Sequence, residues 1–145
     1  MSPREHSLRR KTPVSAKPRS ARATDRPAIL KHDFLQGFGY YFSRPKILAR
    51  EQSPFQEIVV LETERFGKIL NIDGYNNRAE ADGYIYDEMI THVPMCAHPK
   101  PEKVLVIGGG DCCTNKEVVR HPSVRRLVMV DIDEAVIRLH RQHIG

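Results

Sequence analysis

A run of three glycines and two acidic residues are the side chains whose spacing most directly indicates chemistry. The glycines occupy positions 108–110, directly after the apolar run 104–107, and Asp111 follows them. A second apolar run, residues 127–130, ends at Asp131. A carboxylate about 20 positions beyond such a glycine turn is placed to accept hydrogen bonds from ribose hydroxyls. We therefore expect a ligand of the adenosyl type.

The acid after the glycines indicates the charge of that ligand. Gly108 and Gly110 match the start of a dinucleotide fingerprint, but Cys113 stands where its third glycine would be. Asp111 would repel a pyrophosphate and attract a cation. We therefore favour a positively charged nucleoside, such as a sulfonium. The alternative that the glycines only turn a buried strand into a helix remains open.

Elements with defined geometry must position these groups. The apolar run 104–107 predicts a parallel strand buried on both faces. Thr114 and Glu117 form a T-x-x-E capping box, which predicts a helix over residues 114–120 with its free amides facing the crevice, and His121-Pro122 ends it. Upstream, residues 57–62 and 69–72 predict two strands joined by a turn at 65–68, with a further turn at Asp73-Gly74. Residues 82–92 predict a helix that ends before Pro94. Its apolar face comprises Ile85, Met89 and Val93.

Several separated motifs then occur in one order along the chain. They are residues 53–58 (SPFQEI), 66–74 (FGKILNIDG), 84–94 (YIYDEMITHVP), 98–99 (HP), 104–111 (VLVIGGGD) and 121–124 (HPSV). With them the chain resembles spermidine synthase, a polyamine aminopropyltransferase, over about residues 40–145.

The resemblance implies an α/β fold, with a small N-terminal antiparallel β-domain followed by the start of a Rossmann-like, methyltransferase-type domain. It implies transfer of the aminopropyl group of decarboxylated S-adenosylmethionine to putrescine. That nucleoside is a co-substrate, so no cofactor or metal is expected. Asp111 would hold the aminopropyl ammonium and Asp131 the ribose. The nucleoside site would comprise Gln56, Gly108, Gly110, Asp111 and Asp131, and the amine site Tyr86, Asp87 and Asn77.

The chain also departs from the family pattern. Cys112-Cys113 replaces a glycine pair, which predicts crowding of the nucleoside pocket. Asn77 is a shortened substitute for the family's Gln, and Asp87 replaces its His or Gln. A carboxylate at position 87 could pair with an ammonium, so altered amine choice and relaxed constraint both remain open.

The length suggests a truncated form of this family. The catalytic groups are expected in a C-terminal part that the 145 residues do not include. We expect little or no activity from this chain alone, and marginal stability or aggregation, because two parallel strands leave apolar faces open. Two alternatives are an S-adenosylmethionine-dependent methyltransferase and a non-catalytic chain that associates with a full-length homologue.

Charge and composition suggest three segments: residues 1–30, a disordered basic tail; 31–100, the β-domain with a helix at its end; and 101–145, the first βαβα part of the nucleoside-binding domain. The tail holds eight Arg and Lys residues against Glu5 and Asp25, so the net charge of +5 originates there. We expect a homo-oligomer in the cytoplasm, with reduced cysteines and with neither membrane nor nucleic acid as partner. His140 and His143 are interpreted as a solvated basic helix end rather than metal ligands.

Overall fold

The computed structural model describes residues 29–145, with side chains from residue 36 onward. The predicted disordered tail therefore lies outside the described residues, except that Ile29 and Leu30 begin the first strand. No helix within 29–145 combines the length and apolarity needed to cross a membrane.

The N-terminal half is antiparallel β-structure. A hairpin of β1 (Ile29–Leu35) and β2 (Phe38–Ser43) comes first. A four-stranded meander follows in the order β3-β4-β5-β6. Its strands are β3 (Lys46–Gln52), β4 (Glu57–Thr63), β5 (Gly67–Ile72) and β6 (Tyr75–Ala79).

Two tight turns fix the register of this meander. Between β4 and β5, the backbone amide of Phe66 donates to Thr63 Oγ1 at 3.1 Å, and Gly67 has φ +67°. Between β5 and β6, Asp73 and Gly74 both have positive φ, as the type I′ two-residue hairpin turn requires. The predicted hairpin and the Asp-Gly turn are both confirmed.

Strand β4 is buried on both faces. Ile58 and Val60 point to one side, where they pack with Leu70 and with apolar residues of the last helix. Val59 and Leu61 point to the other, where they pack with Ile69. Because side chains alternate along a strand, one apolar run supplies both clusters.

The second half begins with α1 (Gly83–Ala97) and continues through β7 (Lys103–Ile107), α2 (Cys113–Val118), β8 (Arg126–Val130) and α3 (Glu134–His143). Strands β7 and β8 pair in parallel, with Val104 opposite Leu127 and Val106 opposite Met129. Helix α2 lies against this pair, whereas α3 packs on β3 and β4. A strand–turn–helix–strand unit is thus joined to the antiparallel sheet through α3.

Helix α1 differs from its prediction in length and in the face it buries. It continues through Pro94 to Ala97, because the packing of Thr91 and Met95 offsets the amide that proline lacks. The predicted apolar face is exposed, since α1 packs on α2 through its other side. The helix packs on α2 and also forms an ion pair with β6 through Asp87 and Arg78.

The prediction that β7 is buried on both faces is wrong within the described residues. Leu105 and Ile107 are 59% and 81% exposed, while Val104 and Val106 are half-buried on the other face. Leu105 and Ile107 line a groove of about 740 Å³. Its other walls include Ile90 and Pro94 of α1 and Val118 of α2.

Candidate functional site

The glycine turn begins where β7 ends. Gly108 and Gly109 have φ of +81° and +75°, a conformation that costs glycine little and other residues more. The backbone amide of Gly108 donates to the Val130 carbonyl at 2.7 Å, which fixes the turn to the end of β8. The carboxyl ends of both parallel strands thus meet at one crevice, where open α/β sheets bind ligands.

Gly110 lies against Asp131. Its backbone amide donates to Asp131 Oδ2 at 2.8 Å, and the backbone amide of Asp133 donates to Asp131 Oδ1 at 2.9 Å. A Cβ at position 110 would lie 2.9 Å from Asp131 Oδ2 and 3.0 Å from Val136 Cγ1. Glycine is therefore required here by close approach. Each oxygen of Asp131 retains a lone pair for a further donor.

At the start of α2, Cys112 is the N-cap, but its side chain makes no capping hydrogen bond. The preceding residue, Asp111, bonds to the first helical amide, which the predicted capping box of Thr114 and Glu117 does not. Its Oδ1 accepts a hydrogen bond from the Cys113 amide at 3.1 Å, and α2 begins at Cys113. Thr114 Oγ1 instead donates to Asp87, and Glu117 pairs with Arg120 and His92. The capping-box prediction is wrong because Thr114 already lies inside the first helical turn.

The two adjacent thiols point to different surroundings. Cys112 has φ +59° and is half-buried, with Sγ 3.7 Å from the Gly110 carbonyl oxygen. Cys113 is 4% exposed, with Sγ 3.8 Å from His140 Nε2. Burial is the main cause that raises the pKa of Cys113, and the charge of Asp111 adds to it. Cys113 thus packs inside the protein as a neutral thiol, while crowding of the pocket by Cys112 remains a prediction.

His140 is not part of a solvated helix end. It is 3% exposed, and burial lowers its pKa below the usual 6.5. The prediction was wrong because α3 turns this face toward Cys113 and the four-stranded sheet. Residues 29–145 contain no cluster of three or more His, Cys, Asp or Glu that could hold a metal ion.

Gln56 is tied to a carboxylate that the sequence reading missed. Its Nε2 donates to Asp133 Oδ2 at 2.9 Å, and Ser53 Oγ donates to the same oxygen at 2.6 Å. Asp133 also accepts from the Ala135 amide at 3.0 Å and so caps α3. An aspartate directly before a helix is a capping signal that could have revealed it.

Burial raises the pKa of Asp133 and is the largest single influence on it. The hydrogen bonds from Ser53, Gln56 and the Ala135 amide together outweigh it and hold the pKa of Asp133 below 3.8. The carboxylate is therefore ionised at neutral pH and binds the β-domain loop to α3.

The predicted amine-binding residues lie along the junction of β6 and α1. Tyr86 is 62% exposed and Asn77 is also exposed. Both line a groove of about 690 Å³ that Phe42 and Met89 also border. Asp87, by contrast, is 4% exposed and forms an ion pair with Arg78. Contact between Asp87 and an amine would require Arg78 to release it.

Two family profiles match the chain side by side. Residues 30–80 match the "Spermidine synthase tetramerisation domain" and residues 83–145 match the "Spermine/spermidine synthase domain". The profiles divide between residues 80 and 83, before α1, whereas the sequence analysis placed the boundary at residue 100.

Similar proteins carry consistent names. A polyamine aminopropyltransferase of Erwinia tasmaniensis is 44% identical over 108 residues, covering 74% of this chain and 38% of the relative. One from a Thermoanaerobacter species is 43% identical over 97 residues, covering 67% and 35%. The chain thus spans little more than a third of these relatives.

Solved structures agree with the sequence relatives. Spermidine synthase from Thermotoga maritima superposes with a TM-score of 0.76 at 32% identity, covering 81% of this chain and 43% of that one. A spermidine synthase in complex with the transition-state analogue AdoDATO gives 0.71 at 36% identity, covering 74% and 37%.

The fold comprises an antiparallel β-domain followed by the opening of a Rossmann-like domain. The glycine turn, Asp111 and Asp131 lie at the carboxyl ends of its parallel strands. With two adjoining family profiles and homologous structures in agreement, the chain belongs to the spermine/spermidine synthase family, of which it represents the N-terminal part.

Proposed function

We propose that this chain forms the nucleoside-binding crevice of an aminopropyltransferase that uses decarboxylated S-adenosylmethionine and putrescine. The observation that carries the proposal is the hydrogen bond between the Gly110 amide and Asp131, directly beside Asp111. It holds the Asp131 carboxylate against the turn that carries Asp111, which supports a role for Asp131 at the ribose and for Asp111 at the cationic arm. The names of the relatives support the same reaction.

The chemistry assigns a task to each group. The amine nitrogen attacks the carbon next to the sulfonium, and the carbon–sulfur bond breaks. The sulfur keeps the electron pair as the thioether of methylthioadenosine, and the amine loses a proton. The protein must hold both reactants in line and stabilise their cationic ends.

The nucleoside-binding residues have hydrogen-bonding capacity left for these tasks. Within the described part of the chain, Asp111 accepts a hydrogen bond only at Oδ1, so Oδ2 can accept from an ammonium. Gln56 donates through Nε2 to Asp133, which leaves its amide oxygen as an acceptor for the nucleoside. Gly108 and Gly110 let the ligand approach the backbone.

On the amine side, Tyr86 and Asn77 border the groove of about 690 Å³, which supports a role in positioning the diamine. We further propose that the reaction needs no cofactor and takes place in the cytoplasm. The free thiols of Cys96, Cys112 and Cys113 suit a reducing compartment.

Calorimetry with methylthioadenosine tests the crevice without requiring turnover. We expect Asp131→Asn to weaken binding at least about tenfold, because hydrogen bonds to a charged acceptor contribute about 1.5–3 kcal/mol. Glu64→Gln is the matched control, since it removes one negative charge at the exposed β4–β5 turn. Absence of binding by the wild-type chain, or equal affinities for both variants, would contradict the proposal.

Product analysis tests the reaction. Decarboxylated S-adenosylmethionine and putrescine are incubated with the chain, and spermidine and methylthioadenosine are quantified together. We expect binding with little turnover by this chain alone, so appreciable spermidine would refute that expectation. Transfer of a methyl group from S-adenosylmethionine would instead support the methyltransferase alternative.

The match of residues 30–80 to a tetramerisation domain favours association as a second function. We propose that the β-domain mediates a homo-oligomer and could also bind a full-length homologue. Phe38 and Tyr41 are each 65% exposed on β2. Light scattering should give a multiple of the monomer mass, which Tyr41→Lys reduces. A monomeric wild-type chain that does not capture full-length spermidine synthase would contradict this function.

A further inference from the structure

A buried ion pair lies beside the proposed nucleoside crevice. Arg78, near the end of β6, contacts Asp87 Oδ2 on α1, and the two side chains are 16% and 5% exposed. The second oxygen, Asp87 Oδ1, accepts a hydrogen bond from Thr114 Oγ1 at 3.5 Å. Both oxygens of Asp87 are therefore engaged by protein groups.

The pair shares its surroundings with Asp111. The negative charges of Asp87 and Asp111 both raise the pKa of Arg78. The charges of Arg78, Asp87 and Asp111 also affect the pKa of the buried Cys113 and that of the buried His140. Burial lowers the pKa of Arg78, but its hydrogen bond to Asp87 and the neighbouring negative charges outweigh burial and raise the pKa overall. The guanidinium therefore remains charged.

We propose that Arg78 is a specificity-determining residue, which neutralises Asp87 and leaves Asp111 as the carboxylate that receives the cationic arm of the nucleoside. This inference rests on the proposed function. Without Arg78, two carboxylates would face this part of the crevice, and the local charge would be more negative by one unit. Arg78 thus limits how strongly the site attracts ligands with several positive charges.

The proposal predicts opposite effects for the two partners. Arg78→Met should tighten binding of decarboxylated S-adenosylmethionine at least about tenfold at low salt, because a nearby like charge is removed. Asp87→Asn leaves an unpaired guanidinium and should weaken binding by about the same factor. The double variant restores the wild-type charge and should bind with near wild-type affinity.

A neutral ligand shows whether the variants act through their charge or through a change in structure. Methylthioadenosine carries no sulfonium and no ammonium, so its affinity should change less than about threefold in every variant. Arg120→Met is the matched control, because Arg120 pairs with Glu117 at the far end of α2. It should shift the affinity for either ligand less than about twofold.

Calorimetric titration of these variants with the two ligands distinguishes an effect of charge from an effect of structure. A change in the ratio of the two affinities, opposite in sign for Arg78→Met and Asp87→Asn, supports the proposal. Equal changes for both ligands would show that the pair is only structural and would overturn it. If Arg78→Met does not fold, Arg78→Gln replaces it, because glutamine still donates to Asp87 without a charge.

If the proposed function is wrong, the same titrations give a different result. A wild-type chain that binds neither nucleoside refutes the crevice, and putrescine alone then decides the inference. Arg78→Met should bind this dication at least about tenfold more tightly than wild type, because two carboxylates become available. Equal putrescine affinities would overturn the role of Arg78.

Discussion

Ser53 Oγ donates a 2.6 Å hydrogen bond to Asp133 Oδ2, although 80 positions separate the two residues in the chain. Gln56 donates to the same oxygen. One buried carboxylate therefore connects the loop between β3 and β4 to the first turn of α3. The nucleoside-binding role predicted for Gln56 depends on this connection, because Asp133 fixes where its amide lies.

Asp133→Ala should lower the free energy of unfolding by about 2–4 kcal/mol. It removes the cap of α3 and the hydrogen bonds that Ser53 and Gln56 donate to the buried carboxylate. Urea denaturation measures the effect. Glu134→Ala, at the exposed next position, should cost about 1 kcal/mol or less. Similar losses for both variants would show that the carboxylate contributes little.

The same carboxylate predicts acid sensitivity. Because the pKa of Asp133 lies below 3.8 in the folded chain, its contribution to stability is present at neutral pH. That contribution is lost as the pH falls from about 3.8 through the lower folded value. Unfolding free energies from about pH 5 to about pH 2 should fall less steeply for Asp133→Asn than for wild type. Parallel curves would contradict the assignment.

His140 predicts a second loss of stability on acidification, which begins at a higher pH than the one predicted for Asp133. Burial lowers the pKa of His140, and the charges of Arg78 and Lys116 lower it further while Asp111 opposes them. The unfolded chain therefore binds a proton first, and stability decreases as the pH falls below about 6.5. His140→Gln should flatten this decrease in thermal unfolding. The exposed His98→Gln control should retain it, and an unchanged slope in His140→Gln would refute the prediction.

Gly110→Ala should weaken methylthioadenosine binding at least about tenfold and destabilise the chain by about 1–3 kcal/mol. The added methyl would contact Asp131 and Val136 and displace the carboxylate from the turn. Gly108→Ala provides a comparison, because φ is +81° there but a Cβ meets nothing within 4 Å. It should cost only the conformational strain of about 1–2 kcal/mol. Unaltered binding by Gly110→Ala would argue against the observed position of Asp131.

Glycine substitutions at the adjacent thiols should have opposite effects. Cys112→Gly should stabilise the chain by about 1 kcal/mol, because φ is +59° at this position. Cys113→Gly should destabilise it, because a buried side chain in the first turn of α2 is lost. Chemical denaturation of the two variants gives the comparison. Destabilisation by both would show that the Cys112 side chain contributes more than its backbone strain costs.

Local patterns in the sequence predicted the elements that depend on few residues. The β4–β5 hairpin follows from two short apolar runs and from Gly67 between them, and the Asp73-Gly74 turn follows from residues that accept positive φ. The strand, glycine turn and second strand around Gly110 follow in the same way. In each case the determining residues are neighbours in the chain or share a known spacing.

Long-range contacts account for what the sequence did not predict. The periodicity of Ile85 and Met89 indicates a helix but not the partner that selects its buried face. Likewise, the burial of His140 depends on α3 meeting the β-sheet, and the role of Asp133 depends on Ser53. Asp87 departs from the family pattern, and nothing in the sequence indicates that it pairs with Arg78.

The packing of α3 on β3 and β4 has a consequence for the thermal unfolding of the chain. Ala135, Val136 and Leu139 share one apolar cluster with Ile58 and Leu70, so the matched family regions on either side of residue 82 hold a common interior. Neither region can lose its structure without exposing the other. Heating should therefore produce one cooperative transition, coincident for probes placed in either region, rather than two successive steps.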